Sequence, residues 1–166
     1  MAQRFKSIVL SLSSVLAFSV SSLTAAQASA TCPPEKLSFE GWENWDQITR
    51  EPVKSVGHSD NWVGIFVNPL ARETYLQAGT PYQECAAIIK PVYSGPDEAT
   101  VTKLTIMVKM PAGFDSENGD WWYASADPTG TKIVPKLSRR ACIACHEQAK
   151  ETDYLFSNEV LEAVAD

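Results

Sequence analysis

The stretch Val101-Thr-Lys-Leu-Thr-Ile-Met-Val-Lys-Met110 decides the fold. Successive side chains of an extended chain point to opposite faces. Thr102, Leu104, Ile106, Val108 and Met110 therefore share one face, and Val101, Lys103, Thr105, Met107 and Lys109 share the other. The first set is the more apolar. The pattern predicts a half-buried strand over residues 99–110, with its first face on the core and its second toward water.

Upstream, residues 86–93 are apolar and β-branched and end at the turn Ser94-Gly95-Pro96, which predicts a second strand. Residues 62–67 read the same way. Asn68-Pro69 then supplies an N-cap and a first helical residue for a short helix over 70–78, stopped by Gly79. Phe39, Trp42 and Trp45, three residues apart, predict a short helix or turn against the core. Residues 51–60, broken by Pro52 and Gly57, read as loop. Downstream, 111–119 is a polar turn, 120–126 a strand and 127–130 a turn. Trp121 and Trp122 point to opposite faces, one inward and one outward. Ser138 caps a helix running from Arg140 to about Lys150, and a second helix covers 157–164. Strands followed by helices give an α+β fold, an antiparallel sheet with flanking helices.

The first thirty residues stand apart. Arg4 and Lys6 precede an apolar, serine-rich run, and Ala28-Ser29-Ala30 supplies small residues for cleavage. This is the layout of a secretory signal peptide, leaving 31–166 as one exported domain with no membrane span after processing. Loss of Arg4 and Lys6 takes the net charge from −6 to −8. Phosphate repels so acidic a chain, which argues against nucleic-acid binding.

Export also places Cys32, Cys85, Cys142 and Cys145 in an oxidising compartment. Cys32 and Cys85 are either a disulfide or two separate thiols. The other two sit in Cys142-Ile-Ala-Cys-His146. Two thiols at this spacing add to the two vinyl groups of a haem, and the adjoining histidine lies under the iron. A thioredoxin-like motif lacks its strand-then-helix context here, and a zinc site lacks further ligands. The reading is one haem c, attached at Cys142 and Cys145 on a helix near the C-terminus, with His146 as proximal ligand. His58, Met107 and Met110 are the candidates for the sixth position. Their ordinary roles, solvated loop residue and packing residues, favour an open or water-bound iron.

Several stretches together are similar to the cytochrome P-460 and cytochrome c′-beta family of periplasmic mono-haem proteins, over roughly residues 42–160. They are Trp62-Val-Gly-Ile-Phe-Val-Asn-Pro69, Ala87-Ile-Ile-Lys90, Met107-Val-Lys-Met-Pro-Ala-Gly-Phe114, Asn118-Gly-Asp-Trp121, Asp127-Pro-Thr-Gly130, and the haem motif followed by Ala149-Lys-Glu-Thr-Asp-Tyr-Leu-Phe156. The resemblance implies a curved antiparallel sheet with helices, and a homodimer. In the P-460 type a lysine is bonded covalently to the haem macrocycle, hydroxylamine is oxidised, and electrons pass to a partner cytochrome. In the c′-beta type that bond is missing and an apolar, aromatic-lined pocket binds nitric oxide and related gases. Lys90 falls at the cross-linking position. Read from its neighbours alone, it is a strand-end residue with its amine in water. Pro91 stands where the family commonly has an acidic residue, and Thr105 where its proton-removing carboxylate is expected. Glu84, Glu117 and Asp120 are the carboxylates that could reach the site, but all three sit in predicted turns or strand ends, where solvated charge is their ordinary role. Phe39 and Phe66 are candidates for an aromatic cap, with core packing as their ordinary role. A plain electron carrier is the third reading.

Overall fold

Eight strands form one antiparallel sheet in a computed structural model that describes residues 32–97, 100–135 and 139–165. They are β1 (Asp46–Gln47), β2 (Val53–Ser55), β3 (Asn61–Val63), β4 (Phe66–Val67), β5 (Ala87–Tyr93), β6 (Val101–Lys109), β7 (Trp121–Ala126) and β8 (Ile133–Pro135). The order is β1-β4-β5-β6-β7-β8, with β2 on β3 and β3 also on β5. The helices are α1 (Pro69–Leu76), α2 (Arg139–His146) and α3 (Ser157–Ala165). The α+β architecture expected from the sequence is the one observed. The signal segment and Ser138 lie outside the described residues. No described helix is long and apolar enough to cross a membrane.

β3 and β4 are one strand interrupted. Both keep a single register on β5, Val63 opposite Val92 and Phe66 opposite Ile89. Between them Gly64 N–H donates to the Pro91 carbonyl at 3.1 Å. Pro91 has no N–H to return, so the ladder opens there. Ile65 turns its backbone groups away from β5: its N–H donates to Thr49 Oγ1 at 3.0 Å and its carbonyl accepts from Ile48 N–H at 2.8 Å. Asn68 caps α1 as its sequence position predicts. Its Oδ1 accepts from Ala71 N–H and from Ala87 N–H, both at 3.0 Å, which ties the helix start to the start of β5.

The sheet buries both faces. On one, Phe66, Ile89, Leu104, Ile106, Val108 and Trp122 pack under Phe39 and Trp42. On the other, Ile65, Val67, Ile88, Met107, Trp121 and Tyr123 pack against α1 and against Tyr154 and Leu155. The half-buried reading of β6 is therefore corrected: Met107, on the side expected to face water, is 6 % exposed. Trp121 and Trp122 do point to opposite faces, but both are buried, because helices cover the second face. Residues 51–60 are not all loop, since β2 lies within them. β8 was not expected either. The helix predicted to reach Lys150 ends at His146 and continues as a 3-10 segment, Glu147–Thr152, with a kink at Ala149. Cys32 and Cys85 form a disulfide with a Cα–Cα distance of 5.6 Å, pinning the N-terminal lead to the start of β5.

Candidate functional site

A cavity of about 710 Å³ opens on the second face of the sheet, where strands β3 and β5–β7 meet α2, α3 and the segment 56–59. Its size is that of a cofactor or ligand pocket. Cys142, Cys145 and His146 all line it from α2. Cysteines three apart, with a histidine directly after the second, lie within little more than one helical turn, so one short helix presents all three.

His146 is 7 % exposed. Its Nδ1 lies 2.6 Å from the Tyr154 carbonyl oxygen. A carbonyl only accepts, so Nδ1 carries the proton and Nε2 keeps its lone pair. Burial, followed by the nearby Lys90 charge, lowers the His146 pKa to about 4, against the raising effect of that hydrogen bond. The rings of Tyr123 and Phe156 stand 5.7 and 5.5 Å from the imidazole, centroid to centroid.

Lys90 is mid-strand, not at a strand end: β5 continues through Pro91 to Tyr93. The missing Pro91 N–H falls on the side where the β3–β4 ladder is open, so the strand passes it. Lys90 shares a face with Ile88 and Val92 and lies opposite Thr105 on β6. Its side chain lines the cavity, and burial lowers its pKa, partly offset by Cys145. Thr105 lines the cavity too and spends its hydroxyl on the Lys90 carbonyl at 3.3 Å.

His58 also lines the cavity and is half-buried rather than solvated. Its pKa falls to about 3, through burial first, then the charges of Lys90, His146 and Lys103. Met107 lines the cavity, whereas Met110 belongs to the core of the opposite face and is removed from the site. Phe39 and Phe66 lie on that opposite face as well, so neither caps the pocket. Glu84, Glu117 and Asp120 do not line it. Asp120 instead accepts from Asp115 N–H at 2.7 Å within its own turn. Glu159, on α3, is the carboxylate among the described lining residues, and it is exposed.

The cytochrome P460 family model matches residues 39–157, from the first buried phenylalanine to the start of α3. The chain belongs to the cytochrome P460 family. No curated protein matches it. Membership implies a haem cofactor, and the residues present fit one. The Tyr123 hydroxyl is buried at the cavity wall without a hydrogen-bond partner, a costly state for a polar group unless something else completes it. Gly57 passes so close to the haem-motif helix that a Cβ there would lie 3.2 Å from Cys145 Sγ. Lys103 and Lys54, exposed at the rim, offer cations to the carboxylates of a porphyrin. The approach of Gly57 and His58 to the site depends on the path of 53–58, which residue pattern did not reveal. The signal lay in β2, three residues long between Pro52 and Gly57.

Proposed function

We propose that the chain is a periplasmic, mono-haem c cytochrome that oxidises hydroxylamine at a haem cross-linked to Lys90 and passes the electrons to a partner cytochrome. One observation carries this reading: the half-buried Lys90 side chain lines the same cavity as Cys142, Cys145 and His146. Cys142 and Cys145 would hold the haem by thioether bonds, and His146 Nε2, left free by the bond from Nδ1, would bind the iron. When bound, the haem would supply redox-active iron. Lys90, its pKa lowered by burial, is disposed to the neutral amine that a new covalent bond to the macrocycle requires.

Removing electrons from hydroxylamine also releases protons. The β6 position expected to hold a carboxylate is Thr105, so another group must accept them. His58 is the better placed of the two titratable candidates. It is half-buried in the cavity wall, whereas Glu159 is exposed at the rim, although the burial that lowers the His58 pKa to about 3 also makes it a weak proton acceptor. Phe39 and Phe66 lie on the far face, and the aromatic rings that do line the cavity, Tyr123 and Phe156, stand against the His146 imidazole, which weighs against the aromatic-lined ligand pocket of the c′-beta type. The absence of a carboxylate from the described sheet wall is what favours nitric oxide binding as the second reading.

Function in solution as a homodimer is part of the same proposal. The test is a ferrous absorption spectrum of the matured protein together with steady-state turnover of hydroxylamine in the presence of an electron acceptor. A shifted, macrocycle-modified spectrum with turnover is expected. An unmodified haem c spectrum, with nitric oxide bound and hydroxylamine untouched, selects the second reading.

A further inference from the structure

The segment after the haem motif, Asp153-Tyr-Leu-Phe156, does more than lead into α3. Asp153 and Tyr154 both adopt left-handed backbone conformations, with φ of 51° and 67°. That region is unfavourable for a residue with a side chain, most of all for a bulky one such as tyrosine, so surrounding contacts must hold it. They are concentrated on Asp153. Lys109 Nζ, at the end of β6, lies 2.6 Å from both carboxylate oxygens. Tyr82 N–H donates to Oδ2 at 2.9 Å. Trp121 Nε1–H donates to the Asp153 carbonyl at 2.9 Å and lies 3.3 Å from Oδ1. The ammonium of Lys109 also stands 5.0 Å from the centre of the Trp121 ring. Both members of the ion pair are nearly buried, with side chains 13 % and 10 % exposed.

Tyr154 is fixed next to this cluster. Its N–H donates to the Ala149 carbonyl at 2.7 Å and its hydroxyl to the Glu117 carbonyl at 3.2 Å. Gly119, at φ +71°, leaves the space its ring fills, which any Cβ would invade. The Tyr154 carbonyl is the acceptor for His146 Nδ1–H.

We propose that the Lys109–Asp153 pair, with Trp121, is a positioning device that aims the Tyr154 carbonyl at His146 and so sets the donor strength of the proximal imidazole. A well-aimed acceptor at Nδ1–H gives the ring partial imidazolate character and makes it a stronger ligand, which stabilises ferric over ferrous iron. Partners one step removed from a metal-bound histidine typically change metal affinity or activity by 10–100-fold. The inference rests on the haem part of the proposed function and not on the substrate.

The experiment compares holoprotein with Asp153→Asn, Lys109→Met and the double variant, reading the reduction potential and the ferrous iron–histidine stretching frequency. Each single variant is expected to shift the redox equilibrium about tenfold toward the reduced form, about 59 mV for one electron, and to lower the stretching frequency. The double variant shifts it no further, because both changes break one unit. Lys109→Arg restores most of the potential. Should Asp153→Asn yield no folded holoprotein, Trp121→Phe removes the indole donor and leaves the charges in place. It is expected to move both readouts in the same direction by less. Attached haem with an unmoved potential and frequency in every folded variant overturns the inference and leaves the proposed function standing. A parent protein without attached haem overturns both.

Discussion

The two faces of the sheet are built from the same strands and differ in what they leave unfilled. On the face under Phe39 and Trp42, Phe66 of β4, Ile89 of β5, Leu104, Ile106 and Val108 of β6 and Trp122 and Ala124 of β7 are apolar and close into a core. On the other face the same strands contribute Lys90, Thr105 and Met107, and between them and the helices a cavity stays open. Apolar side chains can fill space by packing alone. Amines, hydroxyls and imidazoles lose water when buried and need partners. A face that carries such groups and is nevertheless covered is a face prepared for something else to enter. Pattern reading takes it for the solvent side, because hydropathy does not distinguish a polar face in water from a polar face around a cofactor.

The contrast predicts separable losses. Cys145→Ser on the cavity side should abolish double thioether attachment. Pyridine haemochrome spectra and intact mass should then show at most one linkage, and turnover should vanish. A normally matured product would break the assignment of the cavity. His58→Ala is expected to keep the haem spectrum and to lower hydroxylamine turnover by about 10²–10⁴-fold, the usual worth of a positioned proton acceptor. Unchanged steady-state rates would remove His58 from the chemistry. On the opposite face, Leu104→Ala deletes a fully buried side chain and should cost about 2–5 kcal/mol in denaturant unfolding, with the haem spectrum and potential unchanged. A spectral change there would mean that the faces are not separable.

The smallest effect belongs to neither face. In the turn after β7, Asp127 is held below the usual carboxylate range, chiefly by the Lys132 N–H and then by Thr129 and Thr131. A carboxyl whose folded pKa is depressed adds stability above its unfolded value, near 4, and loses it as pH falls through the folded value. Asp127→Asn should therefore flatten the acid limb of the stability curve below about pH 4. An acid limb identical to that of the parent would contradict this.

How far residues alone revealed the molecule follows the same division. β5, β6, β7 and α1 were legible because alternation, the Asn68-Pro69 start and the Gly79 stop are local signals. β2 and β8 were not. Each has three residues and owes its existence to a partner strand, Val63 opposite Val53 and Ala126 opposite Ile133. Cys142, Cys145 and His146 were legible as a group because their spacing is a local signal, and the structure sets all three on one cavity wall. Lys90 looked like a strand end because Pro91 follows it, and only sheet geometry shows that the missing N–H falls at an existing break. His58 looked solvated because its neighbours are polar. Its burial comes from the helix and strands brought against it, which lie far away in sequence.

The most direct test of the cavity as a cross-linked haem c site is peptide mass spectrometry of protein matured in a host able to attach haem. The account predicts a haem joined to the peptide holding Cys142 and Cys145 and, in the same species, to the peptide holding Lys90. A haem peptide free of any Lys90 link would contradict the cross-link, and cysteines 142 and 145 recovered as free thiols would contradict the whole assignment.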